Sequence, residues 1–217
     1  MKDKLNKNDW IVRPISLTRA RELVTKLHYS KGATNTRVYT HGLFKKGEEL
    51  FDANCLGVAW WLPPTKNAAI ATYKEGDWKK VLSLTRLAIE PCVPKNGASF
   101  LLSQSMKLID TEKWECLVTY ADTWQKHTGA IYKATNWEYM GETKPSPVFQ
   151  NKDGKMMGRK RGGKNLTRLE MKELGFDEVG KFVKHKFRFV LKRGYKKEKK
   201  KIHKQELSLK TKCSTCL

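Results

Sequence analysis

The chain has 217 residues, 39% of them hydrophobic, and a formal net charge of +22, with a pI near 9.8. That length holds one sizeable core with room for an appendage, and a positive excess of this size points to a polyanionic partner, most often nucleic acid. No apolar run approaches the roughly 20 residues of a membrane span and Met1-Lys2-Asp3-Lys4 leads into no signal-like stretch, so a soluble, cytoplasmic protein is expected.

In chain order, Asp9 to Ile15 alternates enough for an opening strand, and Ser16 is placed to cap a helix. Leu17, Ala20, Leu23, Val24 and Leu27 recur at spacings of three and four, which buries one helix face. The helix ends near His28-Tyr29-Ser30, because Gly32 and Asn35 follow. Arg37 to Phe44 reads as a strand, with Leu56 to Leu62 its antiparallel partner, stopped by Pro63-Pro64. Residues 65–80 read as a loop, partly packed through Tyr73 and Trp78.

The centre of the chain is Val81 to Tyr132. Val81 to Ile89 is an apolar strand, Pro91 to Gly97 a breaker-rich loop, Ala98 to Ile109 an amphipathic helix and Leu117 to Asp122 a second strand, followed by a turn into a helix at Gly129 to Tyr132. A helix N-terminus after a strand and loop presents free N–H groups and a positive dipole end to an anion. Lys95, Asn96, Gly97 and Ser99 stand at that point, with Arg86 on the preceding strand. A plain strand–helix turn is the competing reading of the same residues. Tyr132 suits proton donation to a leaving thiolate, or it is a packed aromatic. Asp122 suits accepting a proton from an amine, or it caps the turn after it. His28 and Tyr29 either face a substrate pocket or close a helix. His41 and His127 lack a second ligand at metal spacing, so no metal is indicated by the sequence pattern.

Trp137 to Glu142 reads as a strand pairing with a later one, Arg168 to Leu174 as a short helix capped by Asn165 or Thr167 and ended by Gly175, and Lys184 to Leu191 as the last strand. The expected fold is α/β of the α+β kind: a mixed, largely antiparallel sheet flanked by helices in one catalytic domain, 9–192. That domain carries a basic insertion at 150–180, and a Lys-rich tail at 193–217 is expected to be disordered. Residues 152–204 hold 20 Lys/Arg against 6 Asp/Glu, and Arg159, Lys160, Arg161, Lys164, Lys196 and Lys197 are the candidate phosphate contacts. The five cysteines form no disulfide framework, and Cys213 and Cys216 have the spacing of half a zinc site without its other half.

Three strings resemble the Mom family of phage DNA-modification proteins, which have a GNAT-like, acetyltransferase-related fold. They are His28-Tyr29-Ser30; Ser83 to Ile89 with Val93 to Ser99; and Tyr120-Ala121-Asp122 with Gly129, Tyr132, Ala134, Asn136 and Trp137. The last, similar to the family's Tyr-Ala-Asp strand and Gly-x-x-Tyr-x-Ala-x-Asn-Trp helix end, is the most specific. Leu84-Thr85-Arg86 departs from the family's Leu-Ser-Arg but keeps a hydroxyl. The resemblance implies transfer of a carbamoylmethyl-type group to adenine N6 in DNA, protecting it from host restriction. Acetyl-CoA or a related acyl-CoA would be the donor and DNA the partner. It also implies that Arg86 and Ser99 hold the acyl-CoA phosphates, that Asp122 and Tyr132 are catalytic, and that His28 and Tyr29 lie near the substrate. Two other readings stay open: an N-acetyltransferase of a protein or small amine, and a non-catalytic nucleic-acid-binding protein on the same scaffold.

Overall fold

A computed structural model describes residues 3–32, 34–161 and 164–191, with Lys160 and Arg161 described by backbone alone. Trp10–Pro14 (β1) leads into helix Leu17–Leu27 (α1), whose Arg19 N–H is accepted by the Ser16 hydroxyl at 3.3 Å. Tyr39–Lys45 (β2) and Gly57–Leu62 (β3) pair antiparallel. Residues 65–80 are not the expected loop, because Lys66–Thr72 forms a helix (α2). The Thr65 hydroxyl caps it by accepting the Ala68 N–H, and three alanines favour helix even without an apolar stripe. Buried Ala69 joins Tyr73 and Trp78 against Val81, Cys116 and Val118.

Val81–Ile89 (β4), Gly97–Lys107 (α3), Cys116–Asp122 (β5), Ala130–Ala134 (α4) and Glu138–Glu142 (β6) complete the centre of the molecule. Beyond it, the stretch expected to be loop and short helix contains Ser146–Gln150 (β7), Met156–Met157 (β8), Lys160–Arg161 (β9), Lys164–Asn165 (β10), Arg168–Glu173 (α5) and Asp177–Phe182 (β11). Lys184–Val190 (β12) returns to the main sheet, whose order is β1-β2-β3-β4-β5-β12-β6. Every neighbouring pair is antiparallel except β4 with β5. This is the mixed, largely antiparallel sheet expected from the sequence.

Side-chain alternation sorts the sheet into two faces. Leu82, Leu84, Leu117, Ala121, Trp61 and Phe187 lie in one core cluster with Leu101 and Leu102 of α3. Val58, Trp60 and Ala88 lie in another with Ala20, Leu23 and Val24 of α1. The alternation of β4 slips by one residue at Thr85. Trp60 pairs with Arg86 but Trp61 with Leu84, so Thr85 is the extra residue of a bulge. Before it Leu82 and Leu84 face α3; after it Leu87 and Ile89 do. Arg86 and Ala88 are thereby turned toward α1.

The appendage is the β6–β12 hairpin continued. β7 and β11 pair antiparallel beyond it, β8 adds to β7, and Phe149, Met171 and Phe176 form a small core of their own. The Thr143 N–H donates to the Lys184 carbonyl (2.9 Å) and the Lys184 N–H to the Thr143 hydroxyl (3.0 Å), joining the two parts. Thr167 and Glu170 form a reciprocal cap on α5, and Gly175 turns the chain out of it at φ 80°.

Candidate active site

The cleft follows from the one parallel pair. The β4–β5 ladder runs from Val81↔Cys116 to Leu84↔Thr119 and stops, although β4 continues to Ile89 and β5 to Asp122. Beyond the bulge the strands part, and a cleft of about 390 Å³ opens between them, closed at its far side by residues 126–132. Among the described residues the backbone edges facing this gap have no strand partner, which leaves N–H groups of the splayed β4 for a ligand.

The face toward α1 carries the titratable groups. Asp122 ends β5 with 2% of its surface exposed. Its Oδ2 accepts the Tyr29 hydroxyl at 3.4 Å and lies 2.9 Å from Lys184 Nζ, while Oδ1 accepts the Trp124 N–H at 3.3 Å. A buried carboxylate is tolerable only with such partners. Burial and the neighbouring Asp122 charge push the Tyr29 phenol well above its ordinary value, so it stays a donor at neutral pH. Burial, with Arg86 and His127 nearby, pulls His28 down to about 4 against the pull of Asp122. The imidazole is therefore neutral, and the Ser30 N–H donates to its Nδ1 at 3.2 Å. Nδ1 also lies 2.9 Å from the Ser30 hydroxyl, which donates to the Gly32 carbonyl at 3.2 Å, so the ring is held by its own segment. Arg86 donates from Nε to the Gly32 carbonyl (3.2 Å) and from Nη1 to the Thr85 carbonyl (2.7 Å). Among the described residues no carboxylate lies within 4 Å of it.

The face toward α3 is apolar apart from the hydroxyls of Tyr132 and Thr119. The Tyr132 ring packs on Phe187 and Trp137, with centroids 5.2 and 5.7 Å away. Burial pushes its phenol up, opposed by a side-chain hydrogen bond with Thr119, whose own hydroxyl donates to the Leu84 carbonyl (3.2 Å) where the ladder stops. Gly129 sets Tyr132 in place. It precedes α4 at φ 73°, and a Cβ there would meet the Phe187 ring at 2.2 Å.

The loop before α3 is less open than its sequence suggests. The Lys95 N–H donates to the Asp3 carbonyl (3.0 Å) and the Gly97 N–H to the Pro94 carbonyl (3.1 Å). Asn96 is left-handed at φ 73°, and the Ser99 hydroxyl donates to its carbonyl at 2.9 Å. The N–H groups of Ala98 and Ser99 have no partner among the described residues, and Ala98 lines the cleft.

The structure places His28, Tyr29, Arg86 and Tyr132 on one cleft, with buried Asp122 behind the Tyr29 hydroxyl rather than on the lining. Lys95, Asn96, Gly97 and Ser99 stand at the α3 end but do not line it. Sequence reading missed Lys184, although its place at the start of the last strand was the available signal. It also missed Lys126, Thr119 and the placement of His127 on the cleft wall. Tyr29 lines the cleft, whereas Trp60 and Trp61 are buried on opposite faces of the sheet. Arg159 donates from Nε to the Leu166 carbonyl (2.7 Å), and Lys164 is exposed on β10. Lys160 sits opposite Asn165 in β9, followed by Arg161. Lys196, Lys197, Cys213, Cys216 and the tail lie outside the described residues. The appendage joins the cleft wall where Trp124 meets Phe182 edge-on at 6.4 Å and the Thr123 hydroxyl donates to the Val183 carbonyl (2.6 Å). No described helix is long and apolar enough to cross a membrane.

Comparison with known proteins agrees with this architecture. The model of the Mom protein family matches residues 9–211. Among solved structures, Arabidopsis thaliana NAA60 in complex with a bisubstrate analogue superposes with a TM-score of 0.53 at 11% identity, covering 83% of this chain and 97% of that one. The ribosomal-protein-S18-alanine N-acetyltransferase from Escherichia coli gives 0.50 at 9% identity, covering 83% and 93%. These likenesses establish the acetyltransferase-type fold. A search of curated protein sequences finds no match.

Proposed function

The chain belongs to the Mom protein family, and on that premise we propose that it is a transferase moving an acyl-derived, carbamoylmethyl-type group from an acyl-CoA to adenine N6 in DNA, which protects the DNA from restriction. The observation that carries this reading is the two-faced cleft. A phenol stands on one side of the parted strands and a buried carboxylate, shared by a phenol and an ammonium, on the other.

The residues present fit an acyl-CoA. Splayed β4 offers strand-edge N–H groups to a pantetheine arm, and the free Ala98 and Ser99 N–H groups at the α3 N-terminus suit phosphate. When bound, it would supply an activated acyl carbon and a thiol leaving group, and attack of N6 there with departure of the thiol gives an N6-acyl adenine; a carbamoylmethyl product joins N6 to a methylene carbon and takes its amide nitrogen from a further reactant. Asp122 holds the attacking amine by accepting its N–H and takes its proton on Oδ1 or Oδ2. Lys184 and Tyr29 keep that carboxylate in place. Tyr132 retains its proton through burial and holds it on the opposite face. β4 amides are donors for an oxygen that gains charge.

Adenine N6 lies within the stack of duplex DNA, so the base is flipped or taken from a single strand, at a cost of a few kcal/mol. Residues 152–164 carry six Lys/Arg and one Asp, and counterion release there offsets that cost.

The test is expression in a bacterial host, digestion of plasmid DNA to nucleosides and mass spectrometry. A new adenine-derived nucleoside is expected, its mass identifying the transferred group. Only unmodified deoxyadenosine, from folded protein, overturns the reading in favour of an N-acetyltransferase of other amines. Affinity for DNA should also fall steeply with added salt.

A further inference from the structure

Resting on the DNA-acceptor reading above, we infer that Arg86 is a clamp for a phosphate of the nucleotide being modified, not for the phosphates of the acyl carrier. Two observations place it on the acceptor side. The Thr85 bulge turns Arg86 and Ala88 away from α3 and toward α1, so the side chain emerges on the face opposite the free Ala98 and Ser99 amides. Its guanidinium is anchored to the Gly32 carbonyl, in the segment that carries His28 and Tyr29. Without the extra residue, the same position in β4 would face α3.

The second argument is chemical. Nε and Nη1 are used on carbonyls, and Nη2 has no partner among the described residues. No described carboxylate balances the charge within 4 Å. Asp122, the nearest acid of the site, is committed to Lys184 at 2.9 Å and to Tyr29. A half-buried guanidinium with an unused N–H pair and no counter-ion is completed by an anion brought by the ligand. On this face that ligand is the amine-bearing acceptor. The neighbouring His28, neutral by burial, lines the same cleft. Adenine in DNA carries its phosphate within one sugar of the base, so one nucleotide can meet the Asp122 carboxylate and the Arg86 fork together.

Phosphate comes from either substrate, so the experiment separates the two. For Arg86→Gln, KM for a short single-stranded oligodeoxynucleotide should rise about tenfold, the weight of one charge-assisted hydrogen bond, while calorimetric affinity for CoA stays within about twofold. For Ser99→Asp, which adds a first-turn carboxylate that α3 tolerates but a phosphate does not, the pattern should reverse. Unmutated protein, which avoids any folding defect, should bind CoA and a trinucleotide simultaneously. Loss of CoA affinity in Arg86→Gln with an unchanged oligonucleotide KM overturns the inference and leaves the function intact, as does mutual exclusion of CoA and trinucleotide. Unmutated protein that neither modifies nor binds the oligonucleotide overturns both.

Discussion

The two edges of β5 are made from one run of residues and do opposite things. Toward β12 the ladder is unbroken from Lys184↔Asp122 to Val190↔Cys116. Toward β4 it ends at Thr119 and the strands part. The closed edge fixes where Asp122 stands, and the open edge gives it something to act on. A cleft built this way depends on backbone register rather than on loop conformation, so changes that disturb register should matter as much as changes to reactive groups.

The largest effect should come from the residues that use the open edge. Asp122→Asn and Tyr132→Phe should each lower DNA modification about 100-fold or more with unfolding temperature nearly unchanged, in line with general acid–base contributions. Full activity in both would remove the functional meaning of the two faces. Gly129→Ala strikes the wall between them. The positive φ and the contact with Phe187 should cost about 2–4 kcal/mol in denaturant unfolding and displace Tyr132. An unchanged midpoint would show that α4 moves freely.

Lys184→Met tests the closed edge. The ion pair is half-exposed at the lysine, so the loss should be about 1–2 kcal/mol, below that of a fully buried pair. Activity should fall roughly tenfold through misplacement of Asp122, and Lys184→Arg should restore part of it; no rescue would argue against a positioning role.

The smallest effect concerns His28. Its folded value near 4 is below the ordinary 6.5, so above pH 6.5 both states are neutral. As pH falls from 6.5 toward 4 the unfolded chain takes up a proton that the folded chain refuses, and stability declines across that window. His28→Gln should flatten the decline in urea titrations at pH 7, 5.5 and 4.5. Equal slopes in variant and parent would mean that the ring ionises freely in the cleft.

The central strands, α1 with its Ser16 cap and the short α5 were legible because their periodicity and caps are local. α2 was not, since alanines beside polar residues leave no stripe to read. The strands of the appendage were hidden by Pro145 and Pro147 and by alternation too short to register. At the site, His28, Tyr29, Asp122 and Tyr132 were legible as residues, but their division between two faces was not. It depends on the single extra residue at Thr85, a property of the β3–β4 pairing that no window of one strand displays. Lys184 was missed for a similar reason, because it meets Asp122 only through pairing between segments distant in the chain.

The join between appendage and sheet is one residue long. β11 ends at Phe182, Val183 follows, and Lys184 already pairs with Asp122. The ammonium that neutralises the site is thus the hinge pin of the basic arm, and Trp124, bonded to the same carboxylate, rests on the arm's Phe182. Any tilt of the arm would carry Phe182 and Lys184 with it, and so move the indole and the ammonium that hold the carboxylate.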